Sequence, residues 1–302
     1  NSADDIVFTD EMGEKMTASP ITFNAVQMLA IRCKCPDEST SSPYPRTSHF
    51  HVRRHTMNAP IADKTLNSPA PAGDSAWENP MGTDGFEFIE YAAPDPVAMG
   101  KAFVAMGFKP VARHRHKNVL LYRQGDINFI INAEPDSFAQ RFARLHGPSV
   151  CAIAFRVHDA KAAYERALNL GAWGYAGTSE PGQLNIPAIK GVGDSLIYFV
   201  DRWRGKNGAR PGDIGNIGFF DVDFVPLPGI STEEMLHPKG AGLTYVDHLT
   251  HNVHRGRMVE WADFYERLFN FREIKYFNIE GQVTGVKSKA MTSPCGKIRI
   301  PI

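Results

Sequence analysis

The feature that most constrains the fold is a unit of one strand, one helix and three further strands that occurs repeatedly along the chain. In its first copy, residues 85–92 read as a strand, and Asp95-Pro96 opens a helix that closes near Gly107. Three more strand patterns follow, over residues 108–114, 118–123 and 127–132. One such unit leaves open sheet edges and an uncovered apolar face, so we expect units to pair with one another.

The unit returns at Val150 and again at Leu243. We therefore predict an α+β fold of repeated β-α-β-β-β modules, with one complete two-module domain and half of a second. Residues 82–227 are expected to form the first domain, ending in a strand over residues 219–227. Residues 243–302 are expected to form the first module of the second domain.

The first 81 residues show no sustained period and are rich in Ser and Pro, which predicts a disordered leader. Met57 is our expected natural start, so residues 1–56 are not expected to be native. This leader holds Cys33 and Cys35 followed by three histidines, but a C-x-C spacing is not that of structural zinc sites, and we attribute it to chance.

Charge and cysteine content exclude several classes of protein. Thirty-three basic residues offset thirty-three acidic ones among 302, so no excess of cations supports binding to nucleic acid or an anionic membrane. No apolar run approaches the roughly 20 residues of a membrane helix. Four cysteines make no disulfide framework. We expect a cytoplasmic protein without nucleic-acid or membrane partners.

Long segments of residues 77–302 carry a family resemblance. They include ENPMGTDGFEFIEYAAPDP, KNVLLYRQGDINFIINAEP, YVDHLTHNVHRGRMVEWADFYERLFNFRE and VKSKAMTSPCGKIRIPI. This pattern resembles the bacterial 4-hydroxyphenylpyruvate dioxygenases of the vicinal-oxygen-chelate superfamily, which also contains glyoxalases and bleomycin-resistance proteins. The resemblance implies a non-catalytic first domain and a catalytic second domain that the chain carries only in part.

The resemblance also implies Fe(II) held by two histidines and a carboxylate, a 2-oxo acid substrate, O2 as co-substrate, and homogentisate as product. On this reading His248 is a metal ligand and Ser288 contacts the substrate. Strand alternation places Val246, His248 and Thr250 on one face and Asp247 and His251 on the other. We therefore expect His248, not His251, to face the metal.

Three further residues receive non-catalytic interpretations. His254 is expected to be solvated in a turn, and Cys295 to be structural or free. In the family, the other two ligands lie in a fourth module that follows the run ending at Ile302. We therefore expect a C-terminally truncated fragment that binds little iron and is inactive alone, with the stripe of Trp261, Tyr265 and Phe269 exposed.

Two other functions stay open from the sequence. One is 4-hydroxymandelate synthase, which uses the same substrate and O2 but hydroxylates the benzylic carbon. The other is a non-catalytic short form that acts as an interaction module. The full-length enzyme is expected to be a homo-oligomer.

Overall fold

The structure is a computed structural model that describes residues 77–177, 184–210, 213, 216–280 and 285–302, together with three leader strands. Those strands are β1 (Phe8–Thr9), β2 (Lys15–Met16) and β3 (Gln27–Cys33). They fall in the leader for which we predicted disorder; most of that leader, with its Cys35 and His49 to His55 pattern, lies outside the described residues. Apart from Trp77, the described residues belong to one compact unit.

The first two modules follow the predicted order of elements. Module one contains β4 (Phe86–Ala92), α1 (Pro96–Ala105), β5 (Lys109–His114), β6 (Val119–Gln124) and β7 (Ile127–Asn132). After α2 (Phe138–His146), module two contains β8 (Ser149–Arg156), α3 (Ala160–Asn169), β9 (Gly174–Tyr175), β10 (Ala188–Lys190) and β11 (Leu196–Val200). A linking segment adds α4 (Phe219–Asp223), β12 (Phe224–Pro226) and α5 (Thr232–Leu236).

Both modules are joined in one nine-stranded sheet with the order β12-β5-β6-β7-β4-β8-β11-β10-β9. In each module the first strand pairs in parallel with a later one, β4 with β7 and β8 with β11. The two first strands, β4 and β8, pair antiparallel and so connect the modules. The predicted α+β fold class is confirmed.

Local sequence explains where the helices of these modules begin. The Asp95 carboxylate accepts hydrogen bonds from the amides of Val97 and Ala98 at the start of α1. Asp159 caps α3 in the same way through the amide of Ala162. Each cap satisfies amide groups that the first helical turn leaves without partners, so the chain leaves the strand and enters the helix at a defined residue.

The sheet has an outer face and an inner face. The outer face carries side chains such as Ile89 and Phe129, and α1 and α3 cover it. The inner face carries Phe88 and Ile130, and the segment around α4 packs against it through Phe219 and its neighbours. Because strand side chains alternate, the two faces of one sheet contribute to separate cores.

Residues 219–227 differ from the strand that we predicted. Phe219–Asp223 forms the short helix α4, and only Phe224–Pro226 is a strand. The Asp221 carboxylate accepts a hydrogen bond from the amide of Gly218, which starts a helical turn. This turn directs both Phe219 and Phe220 into the inner-face core, which a simple alternating strand would not do.

The third module comprises β13 (Leu243–His251), α6 (Met258–Phe269), β14 (Arg272–Glu280), β15 (Gly285–Thr292) and β16 (Arg299–Pro301). The strands β14, β15 and β16 form an antiparallel sheet in that order, and β13 lies beside β16. The other edge of β13 pairs antiparallel with the leader strand β3. No helix among the described residues is long and apolar enough to cross a membrane.

The prediction of an exposed apolar stripe on α6 was wrong for Tyr265 and Phe269, which are fully buried. The Phe269 ring contacts Phe155 and Phe199 of the second module, with centroid distances of 5.4 and 6.1 Å. The third module thus covers its helix by packing it against the second module, a contact between distant parts of the chain that helical periodicity does not reveal.

Candidate functional site

His248 lies on the face of the third module opposite the face that packs on α6. We call this face the inner face of the third module. The neighbouring residue Leu249 is fully buried in the core that includes Tyr265 of α6, and alternation turns His248 away from that core. The side chain of His248 is 32% exposed to solvent. It is therefore accessible to a ligand while its strand is held by packing.

A carboxylate fixes the orientation of the His248 ring. Nδ1 of His248 lies 2.8 Å from Oδ2 of Asp247, and Oδ1 of Asp247 lies 3.2 Å from Nη1 of Arg299. Because an ionised carboxylate can only accept, Nδ1 carries the hydrogen, which in the neutral ring leaves the lone pair on Nε2. This arrangement is typical of metal-binding histidines, whose second ring nitrogen donates to a carboxylate.

Asp247 and Arg299 were not anticipated from the sequence. Alternation places Asp247 on the face opposite His248, and Asp247 is indeed buried like Leu249 and His251. Its carboxylate nevertheless bonds to the adjacent His248 ring. The one sequence signal for this contact is that Asp247 directly precedes His248. The Arg299 contact depends on β16 lying beside β13.

Ser288 lies on the same face as His248. Met291, three residues later in β15, is fully buried in the core shared with α6. Nζ of Lys289 lies 2.8 Å from Oε2 of Glu273. Alternation from Met291 places the partly buried Ser288 on the inner face. The structure thus brings both predicted site residues to one face of the third module; their roles remain predictions.

His251 occupies a different environment. It is buried, and its Nε2 lies 2.6 Å from the Tyr265 hydroxyl. Burial lowers the pKa of His251 to about 3, so the ring is neutral at physiological pH. The structure places this histidine in the core beneath α6.

His254 and Cys295 are not part of this face. His254 is exposed after β13, as expected for a solvated residue. Cys295 is a free thiol whose Sγ lies 3.1 Å from Oγ of Ser293. Neither has the surroundings of a catalytic group.

The described residues offer one suitable metal ligand but not a complete metal centre. Within the described ranges, no three His, Cys, Asp or Glu side chains gather closely enough to hold a metal ion. His248, with its oriented ring and available Nε2, fits the role of one nitrogen ligand of Fe(II).

Comparison with known proteins relates this fold to a family. Residues 77–225 match the family described as hydroxyphenylpyruvate dioxygenase, N-terminal. A 4-hydroxyphenylpyruvate dioxygenase of Pseudomonas sp. (strain P.J. 874) is 55% identical over 226 residues, which are 75% of this chain and 59% of that protein. The chain is therefore similar to the hydroxyphenylpyruvate dioxygenases, and its residues 77–225 match the N-terminal domain of that family. It spans about three-fifths of the length of that relative.

Two solved structures share the architecture. A xylose isomerase-like TIM barrel/4-hydroxyphenylpyruvate dioxygenase fusion protein is 32% identical, with a TM-score of 0.59, and the match covers 78% of this chain and 35% of that one. A mutant of 4-hydroxymandelate synthase from Streptomyces coelicolor is 20% identical, with a TM-score of 0.56, over 73% of this chain and 62% of that one. The second match shows the fold alone.

Proposed function

We propose that this protein forms part of a 4-hydroxyphenylpyruvate dioxygenase, an oxidoreductase that converts 4-hydroxyphenylpyruvate and O2 into homogentisate and CO2 in tyrosine breakdown. The identity of 55% to the Pseudomonas enzyme supports the reaction class. The observation that carries the proposal is His248, which lies on the inner face with its Nδ1 bonded to Asp247 and its Nε2 available.

The residues of the third module have distinct roles in this proposal. His248 supplies one of three Fe(II) ligands through Nε2. Asp247, itself held by Arg299, keeps the ring in the tautomer that can bind metal. Ser288 hydrogen-bonds an oxygen of the substrate on the same face. The chemistry that Fe(II) supplies when bound is chelation of the keto and carboxylate oxygens of a 2-oxo acid together with activation of O2.

The packing of the third module supports this arrangement. The outer face of β13 is fixed by Leu249 and by the His251–Tyr265 contact. A rigid outer face holds the inner-face side chains in place, which a catalytic site requires. We infer that the first domain is non-catalytic in this reaction and supports the third module through Phe155 and Phe199. A cytoplasmic, homo-oligomeric complete enzyme remains our prediction.

A chimera tests the proposal. The part of the Pseudomonas enzyme beyond the matched region is fused after Ile302, and homogentisate is measured by chromatography after adding 4-hydroxyphenylpyruvate and Fe(II). We expect turnover by the chimera and little iron binding or turnover by the 302-residue chain alone. His248→Ala is expected to lower activity by at least about a hundredfold through loss of a metal ligand.

The matched control is His254→Ala, which changes an exposed histidine close by in the sequence and should leave activity unchanged. Full activity of the His248→Ala chimera would overturn the ligand assignment. Release of 4-hydroxymandelate in place of homogentisate would show the alternative synthase reaction. A folded chimera that binds iron but forms neither product would contradict the enzymatic proposal and favour an interaction module.

A further inference from the structure

The leader strand β3 pairs with the third module, although it belongs to none of the repeated modules. It lies antiparallel to β13 along the whole length of that strand. At one end Leu243 is the register partner of Cys33, and at the other end His251 is the partner of Gln27. The other edge of β13 lies beside β16, the last strand of its own module. Both edges of β13 therefore have a neighbouring strand.

The first two modules show which kind of strand lies at the edge that β3 takes. Within each module the first strand pairs with the last, β4 with β7 and β8 with β11. The two first strands, β4 and β8, also pair antiparallel with each other. A first strand thus lies between the last strand of its own module and the first strand of another module. Beside β13, the strand β3 takes the place of that other first strand.

Strand pairing makes this edge of β13 a binding surface for one strand at a time. An edge strand presents unpaired amide and carbonyl groups, and another extended segment can satisfy them with its own backbone. Because the affinity comes from main-chain hydrogen bonds, segments of different sequence can bind the same edge. The strand β3 and the first strand of a further module therefore exclude each other at β13.

The edge that β3 covers lies next to the candidate metal ligand. His248 is the register partner of Ala30 in β3. The Cα atoms of such antiparallel partners lie about 4.5–5.5 Å apart. A module whose first strand replaced β3 would therefore bring its own side chains close to His248. Since no three potential ligands gather within the described ranges, a neighbour at this edge is well placed to supply the others.

We propose that the edge of β13 is the docking site for the first strand of a further β-α-β-β-β module, and that β3 occupies this site in competition with it. The strand β3 must then leave β13 before a further module can complete a metal centre at His248. The metal centre rests on the proposed function, whereas the competition between the two strands does not.

A disulfide trap measures whether β3 lies on β13. Leu243→Cys places a thiol at the register position opposite Cys33, at a Cα separation that a disulfide can span. After mild oxidation of the 302-residue chain, peptide mass mapping should show position 243 linked to Cys33 in most molecules. The matched control is Val259→Cys, an exposed position on α6, which should give no link to Cys33. Absence of the cross-link in Leu243→Cys would overturn the proposal.

The chimera described above tests the competition. Its added module should displace β3, so the cross-link yield of Leu243→Cys should fall by about tenfold or more. An unrelated folded domain of similar length, fused after Ile302, should leave the yield unchanged. An unchanged yield in a chimera that unfolds cooperatively would overturn the competition, even if homogentisate forms. A reduced yield without homogentisate would support the competition and contradict only the proposed function.

A proline substitution in the 302-residue chain gives a test that needs no added module. Ala30→Pro removes an amide hydrogen from β3 and should release β3 from β13. Because exposed strand edges pair with one another, its sedimentation coefficient should rise with protein concentration. The matched control is Ala30→Ser, which keeps the amide and should sediment like the unsubstituted chain. Loss of the cross-link without self-association in Ala30→Pro would show that this edge of β13 is not a docking site.

Discussion

At the scale of single residues, two histidines three positions apart have opposite environments. His248 is partly exposed and bonded to a carboxylate, whereas His251 is buried against Tyr265. Alternation along β13 separates them, and this separation was predictable from the sequence. The Asp247 contact was not, because alternation assigns the side chains of Asp247 and His248 to opposite faces.

The buried His251 predicts how stability depends on pH. Its pKa of about 3 in the folded chain lies below the ordinary 6.5, so the unfolded chain binds a proton that the folded chain does not. The free energy of unfolding should therefore fall as the pH drops from about 6.5 toward 3, by up to about 1.4 kcal/mol per pH unit from this residue. Urea unfolding at several pH values measures this slope.

His251→Gln removes the titrating group and should flatten the slope, while His254→Gln at an exposed position should not change it. An unchanged slope in His251→Gln would contradict the assignment of the pH dependence to His251.

At the scale of elements, sequence signals located most helices and strands of the three modules. The predicted strand 127–132 agrees with β7. The sequence analysis predicts no helix between the first two modules, yet the amphipathic α2 lies there. Its start is capped by Ser137, whose hydroxyl accepts a hydrogen bond from the amide of Gln140. The helix α4 was read as a strand, since its apolar residues could satisfy either pattern.

Two glycines allow the stability cost of backbone strain to be distinguished from that of steric crowding. Gly107 has φ of +89°, and a Cβ atom added there would lie 2.5 Å from Cβ of Ala241. Gly147 has φ of +72°, and a Cβ atom added there would meet no neighbouring atom within 4 Å. Gly147→Ala should lower the free energy of unfolding by about 1–2 kcal/mol through strain alone. Gly107→Ala should cost about 1–3 kcal/mol more, through the added clash. Chemical denaturation of both variants checks the difference; equal losses would contradict it.

At the scale of the whole molecule, the third module is held against the second module by a shared core. Phe269, Phe155 and Phe199 meet there, although they belong to two modules far apart in the sequence. Polar contacts join the same parts: Lys297 pairs with Asp84 at 2.5 Å, and Arg267 donates to the carbonyl of Leu170 at 2.8 Å. The ring contacts lie in the fully buried core and should contribute most of the stability.

Phe269→Ala tests this docking. Removing a fully buried ring should lower the free energy of unfolding by about 3–5 kcal/mol. Val259→Ala, on the same helix but 53% exposed, should change it by less than about 1 kcal/mol. Thermal and urea unfolding measure both. A small loss in Phe269→Ala would show that the third module is not stabilised by its contact with the second module.

The sequence by itself determined the order of the elements, the α+β class and the face of β13 that carries His248, because these follow from side-chain periodicity and from caps such as Asp95 and Asp159. Only the tertiary structure decided that α6 is buried against the second module, that Arg299 and Asp247 orient His248, and that β3 pairs with β13. These contacts join residues far apart in the sequence, whose proximity depends on strand register and on the packing of whole modules.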